Sequence, residues 1–352
     1  MMKSLMAVLC LSLPAQALGQ ASTSAPAAAG IQDSQALRQP RSKSPSFDFQ
    51  ATGMAVADFK GDGTLQVALS DKKTVRLYPY PPTDPKPLAQ FTHAAISARI
   101  LSLEAADLKS DGRAQLFVTH YNENFTRLET SAVELDSGAL KELAEFPGVV
   151  RGLQEENGRK ILAVQQLMED STFPFSNIYP LVFEDGKFGP GKDALPHKRV
   201  EWVYDFTRAT FDGEPAMVSL TSDKRLRVQF AKASWLSPEA YGQTPIRVRW
   251  QGRLLEFHPE LVVDRDARGR AALYLVRNLS ALGALSEPFG LFNGAELLRK
   301  SWDGAGLVDD WKAELTGYAA ALRPVTPLSG PEELAVAVVG AAGKTSLWIY
   351  ER

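Results

Sequence analysis

At 352 residues, 45% of them hydrophobic, the chain can bury a substantial core as one large domain or two smaller ones. Its 39 basic and 41 acidic residues leave a formal net charge of -2 with no lysine-arginine block, which points away from nucleic acid and from anionic membrane surfaces. Glycine (26) and proline (22) stand at ordinary levels, excluding collagen and wholesale disorder.

The N-terminus reads as a secretory signal peptide over residues 1–17. Lys3 precedes an apolar run from Leu5 to Leu13, followed by Pro14 and the small-residue pattern Ala15-Gln16-Ala17. The run is too short to cross a bilayer, which takes about 20 apolar residues, and no later stretch is long enough either. Cys10, the only cysteine, lies inside this segment. The mature chain therefore has no thiol for a disulfide, a cysteine-ligated zinc or a nucleophile, and the expected location is a bacterial periplasm or the exterior. Residues 18–45 are small, polar and proline-bearing, and read as a flexible linker.

Self-similarity organises the rest. The segment from Met54 through Asp58, Lys60, Asp62, Gly63 and Gln66 aligns without gaps on Leu103 through Asp107, Lys109, Asp111, Gly112 and Gln115, 49 residues later. Each copy is an apolar strand, a tight acidic turn ending in Asp-Gly, and a second strand. Fainter copies begin at Val149, Trp202, Glu260 and Ala320, and third strands follow at Thr74–Tyr80, Arg225–Phe230 and Thr345–Tyr350. Units of about 50 residues with three or four short strands are blade-sized. The expected fold is an all-β propeller over residues 46–352, with six blades of antiparallel strands. The stretches 230–256 and 280–316 leave room for a seventh. Ser46–Gln50 is expected to complete the last blade as its outer strand, closing the ring. Asp309–Leu322 is the one segment with a helical pattern, placed between blades.

The phrase Ala57-Asp58-Phe59-Lys60-Gly61-Asp62-Gly63, followed by Val67-Ala68-Leu69, resembles the FG-GAP/VCBS repeat of integrin α-subunit propellers and many bacterial secreted proteins. The resemblance implies a propeller whose acidic turns bind calcium, because a hard cation needs several oxygens on one tight loop. Here Asp58 and Asp62, and Asp107 and Asp111, keep two ligand positions. Lys60 and Lys109, and Gln66 and Gln115, stand where the family carries oxygen donors, so calcium is disfavoured. Each lysine either bridges its aspartates as an internal counter-ion or points into solvent. Asp264 and Asp266 of the fifth copy keep another pair of acidic positions; no metal site is assigned.

No catalytic signature is present. His93, His120, His197 and His258 lack metal-ligand spacing and fall in different units, and there is no nucleophile elbow, phosphate loop or dinucleotide fingerprint. Acidic pairs such as Glu155-Glu156 and Asp309-Asp310 read as solvated surface. The turns between second and third strands are consistently polar, and a rigid scaffold places binding on such turns. They supply the candidate partner-binding residues Asp71, Lys73, His120, Tyr121, Asn122, Gln166, Asp223, Lys224, Arg277 and Asn278. The resulting expectation is an exported, non-enzymatic module that binds a protein or glycan. The alternatives are a propeller enzyme of polysaccharide-lyase or quinone-dependent dehydrogenase type, and an accessory subunit of an envelope complex.

Overall fold

The computed structural model describes residues 37–352 except 125, 155–159, 169–172, 197–199, 266–270 and 282–289. The signal peptide, the linker up to residue 36, the third and fifth acidic turns, His197 and Asp266 lie outside the described residues.

Strand β1 (Ser42–Lys43) comes first in sequence and belongs to the last blade. Blade one is β2 (Gly53–Ala57), β3 (Gln66–Ser70), β4 (Thr74–Pro79) and β5 (Ala89–Thr92). Blade two is β6 (Ala98–Ala106), β7 (Gln115–Asn122), β8 (Arg127–Asp136) and β9 (Ala139–Pro147). Blade three is β10 (Val149–Gln154), β11 (Lys160–Leu167), β12 (Phe175–Glu184) and β13 (Lys187–Pro190). Blade four is β14 (Phe206–Phe211), β15 (Glu214–Leu220), β16 (Arg225–Gln229) and β17 (Ser234–Ala240). A separate hairpin follows, β18 (Arg247–Trp250) with β19 (Arg253–Glu256). Blade five is β20 (Val262–Arg265), β21 (Ala271–Ser280), β22 (Phe292–Trp302) and β23 (Leu307–Leu315). Blade six is β24 (Tyr318–Val325), β25 (Glu333–Val339) and β26 (Thr345–Glu351), with β1 as its outer strand. Six four-stranded antiparallel sheets make a six-bladed β-propeller, and no membrane-crossing helix occurs among the described residues.

The first strands β2, β6, β10, β14, β20 and β24 contact one another in a closed cycle and surround the axis. Inner strands are covered on both faces by neighbouring blades, which is why β3 and β25 are buried along their whole length. The same double coverage explains the segment that reads as helical. Asp309–Leu322 is the end of β23, a turn and most of β24, and the alanine run Ala319-Ala320-Ala321 is buried strand. Small residues there let inner strands approach the axis, whereas in isolation they mimic a helix former.

The ring closes four residues earlier than Ser46–Gln50. Ser42 and Lys43 pair with Ile349 and Trp348, while Phe47 makes only an isolated bridge to Thr345. Residues 37–45 thus belong in part to blade six, where Arg41 donates its backbone N–H to Ile349, while Arg38 donates its own to Lys312 of blade five. The stretches that left room for a seventh blade hold outer strands of blades four and five and the extra hairpin.

Candidate functional site

Strand alternation puts the acidic turns between first and second strands on one face, here the lower. Turns between second and third strands, and the blade-to-blade connections, share the upper face. The β18–β19 hairpin is an insertion in the connection from blade four to blade five. Gln251 and Gly252 form its two-residue turn, both at positive φ (44° and 78°), which suits the right-handed twist of the flanking strands.

This hairpin crosses the axis and caps it. Its far end is held by blade two, where Trp250 donates its indole N–H to Thr126 O at 2.8 Å and Tyr121 its hydroxyl to Arg249 O at 3.3 Å; nearer the base, Arg99 donates a guanidinium N–H to Arg247 O at 3.0 Å. Its base is held by Trp202, whose indole N–H donates to Glu256 O at 2.7 Å, and by Lys224, which ion-pairs with the Glu256 carboxylate. Ile246, Val248, Trp250, Leu255 and Phe257 are buried in the central apolar cluster with Met54, Leu101 and Val149 of the inner strands.

Beneath the cap the channel is filled. Arg323 donates to Glu104 Oε1 at 3.0 Å, Glu260 Oε2 at 3.1 Å and Leu103 O at 2.7 Å. Arg151 lies 3.7 Å from Glu104, and Lys160 lies 3.3 Å from Glu260. Gly152 permits this crowding, because a Cβ there would meet Lys160 Cε at 2.4 Å. Burial pushes the Glu260 carboxyl up, but Lys160, Arg323 and Arg151 outweigh it and leave it below its ordinary value. A residual cavity of about 10 Å³ beside Arg151 and Tyr204 has room for one water at most.

On the upper face, open space lies beside the cap. Two pockets of about 420 and 280 Å³, sharing Phe175, Glu201 and Arg253, form a cleft between the hairpin and blades three and four. Apolar walls come from Phe173, Phe175, Trp202 and Leu254; Phe173 and Leu254 are 74% and 48% exposed. On the floor, His258 Nε2 lies 3.3 Å from Asp205 Oδ1. Burial pushes the Asp205 carboxyl up to about 7, against the opposing pull of Lys224 and Arg151. Burial, then Lys224 and Arg151, hold His258 well below its ordinary value, so the imidazole is neutral. Its Nδ1 is buried without a hydrogen-bond partner. These directions keep the proton on the Asp205 carboxyl, which can donate it as a hydrogen bond to the neutral imidazole.

The ten candidate partner residues are mostly committed within the fold. Asp71 accepts the N–H groups of Lys73 and Thr74 and pairs with Arg76 at 2.8 Å, while Lys73 donates to the Ile96 and Ala98 carbonyls. His120, Tyr121 and Asn122 lie inside β7 and are buried, because this strand runs on past the point where the turn was expected. Gln166 lies in β11, half-buried. Asp223 accepts the Thr221 hydroxyl. Arg277 donates to Glu296 at 2.8 Å. Asn278, 2% exposed, staples blade five to blade six: Nδ2 donates to Ala319 O and Oδ1 accepts the Ala319 N–H. Lys224 alone of the ten lines the cleft. Trp202, Asp205 and His258 carry no short motif; the one sequence signal for the cap is Gln251-Gly252 between alternating apolar residues.

The acidic turns are closed by their own residues. Asp58 accepts the backbone N–H groups of Lys60, Gly61 and Gly63, and Asp107 those of Asp111 and Gly112. Gly63 and Gly112 take the positive φ (84° and 83°) that each reversal requires. Buried Gln66 accepts from Phe59 N–H and donates to Thr64 O; Gln115 repeats this with Leu108 and Arg113. The lysines differ. Lys109 bridges Asp111 at 3.2 Å and Glu134 at 2.6 Å, whereas Lys60 is exposed and makes no ion pair among the described residues. Both Asp264 oxygens are taken by Arg352, at 2.7 and 3.2 Å.

No protein-family model and no curated protein matches the sequence. Among solved structures, a crystal structure of BBS1N in complex with ARL6DN, soaked with lead, matches with a TM-score of 0.42 and 10% identity, covering 90% of this chain and 98% of that one. The same complex soaked with mercury gives 0.41 and 9%, over the same shares.

Proposed function

We propose that this chain is an exported, non-enzymatic binding module of FG-GAP/VCBS-like descent, and that its cleft seats an apolar segment of a partner protein. The observation that carries the proposal is the pair Phe173 and Leu254, large apolar side chains left exposed at one cleft. With the channel plugged, this cleft is a concave feature of the upper face that remains open. A protein is preferred to a glycan because the exposed rim pairs Phe173 with the aliphatic Leu254, a surface that buries apolar side chains rather than sugar hydroxyls. A photo-crosslinker at position 173 should give a saturable adduct with one partner protein, and one at outer-strand position 143 should not. Leu254→Asp, with the crosslinker kept at 173, should abolish the adduct at unchanged melting temperature. Equal labelling from both positions would overturn the proposal.

The pair Asp205–His258 favours a second reading, an enzyme with an acid–base couple on the cleft floor. Turnover of a glycan or ester panel by wild type, lost in Asp205→Asn, would select it. An accessory-subunit role would instead use the outer strands, where Leu143, Leu236 and Val308 are exposed.

A further inference from the structure

Three chemistry-bearing side chains that are scattered in sequence meet between blades one and two. His93 follows β5, His120 lies in β7 and Glu145 in β9; β5 packs against β9. Glu145 Oε2 lies 3.1 Å from His93 Nε2 and 3.3 Å from His120 Nε2. The two rings are 4.1 Å apart between centroids, and the three donor atoms lie within 4.8 Å of one another. His120 is fully buried and its Nδ1 has no hydrogen-bond partner, while the Glu145 side chain is 37% exposed. The cluster is therefore rigid on the protein side and open on the solvent side.

The two carboxylate–imidazole separations are close to a metal's requirements. Ligand atoms bound to zinc at about 2.0–2.2 Å in a tetrahedron lie roughly 3.2–3.6 Å apart. Cross-strand register adds charge: Glu129 is paired with His120, and Ser131 with Glu145, so all four side chains emerge on one face of blade two. Glu129 makes no ion pair among the described residues, leaving carboxylate charge on a face that holds two imidazoles.

We propose that His93, His120 and Glu145 form a two-histidine, one-carboxylate site for a divalent first-row transition ion, with zinc as its occupant. The ion would clamp blade one to blade two and keep an open coordination position toward solvent. Without metal, His93 Nδ1 accepts the Ala95 N–H at 3.1 Å, so its proton sits on Nε2 and points at Glu145. Binding moves that proton to Nδ1, and the Ala95 amide must turn to water. The rival is a metal-free clamp in which both imidazoles donate N–H to Glu145.

The test uses the full chain stripped with chelator, titrated with Zn²⁺ by calorimetry and with Co²⁺ by absorption. One ion per chain is expected, with a rise in melting temperature and a tetrahedral or five-coordinate cobalt spectrum. His93→Ala and Glu145→Gln should each weaken binding at least about tenfold, and Glu145→Gln, at a side chain 37% exposed, should keep the metal-free melting curve. No binding at micromolar Zn²⁺, or variants that bind like wild type, would overturn the site and leave the metal-free clamp.

Discussion

Trp250 and Thr126, which sit on the cap hairpin and on blade two, are joined across the ring by one indole-to-carbonyl hydrogen bond of 2.8 Å. Trp250 is 2% exposed, so this bond and its packing hold the free end of the cap over the axis. Trp250→Phe removes the donor and keeps most of the ring, at an expected cost of about 1 kcal/mol in urea unfolding. Trp250→Ala should cost about 3–5 kcal/mol. Hydrogen exchange should accelerate across 247–256 well before the blades open.

Arg323 neutralises two carboxylates in the channel. Arg323→Met should leave Glu104 to Arg151 alone and Glu260 to Lys160 alone, and cost about 3–5 kcal/mol. Adding Glu104→Gln to that variant removes one under-compensated charge and should recover part of the loss. Additive losses in this double-mutant cycle would show that the two residues do not interact.

The two well-matched turns should answer differently to the same substitution. Lys109→Ala breaks the bridge to Glu134 and Asp111 and should cost about 0.5–1 kcal/mol, whereas Lys60→Ala should fall within about 0.3 kcal/mol of wild type. Calcium should leave the melting temperature unchanged, because Asp58 spends its oxygens on three backbone N–H groups and Asp264 on Arg352. A calcium-dependent rise would show that these contacts yield to the ion.

Asp205 gives the fold a proton dependence of known sign. Its folded pKa, about 7, lies above the ordinary 3.8, so the folded state holds a proton that the unfolded state has released between those values. Its contribution is complete below about pH 4 and lost as the pH rises through 7. Asp205→Asn should therefore gain stability relative to wild type between pH 5 and pH 7, by at most about 1.4 kcal/mol per pH unit, and level off above 8. Urea midpoints at pH 5, 7 and 8 measure this; a pH-independent difference would mean that the carboxyl is ionised throughout.

The ring was legible because a repeat reports its own phase. Asp58 and Asp107 occupy equivalent turns, and that spacing, carried forward, located all six blades. The cap was not legible, because an insertion by definition does not repeat, and residues 230–256 offered no partner for alignment. The binding residues suffered from a different ambiguity. Polar side chains such as His120 and Asn278 look like turn residues in sequence, yet they sit in long inner strands whose polar atoms staple one blade to the next. The meeting of His93 with His120 and Glu145 depends on how one blade packs on another, which spacing along the chain does not encode.

The closing strand β1 is only two residues long, and its partners lie at the other end of the chain; Leu347 N–H binds Ser44 Oγ across 303 positions. At about 5–20 residues per second, a nascent chain waits roughly 15–60 s between making these two segments. During that interval the unfinished ring exposes an open edge, the kind of surface that recruits other chains. With ladder pairing only at Ser42 and Lys43, and isolated backbone bonds at Arg41, Ser44 and Phe47, the early half of the seam is a short template for a neighbour. Its brevity thus guards against misassembly during synthesis, while the last three strands supply most of the seam's stability once they arrive.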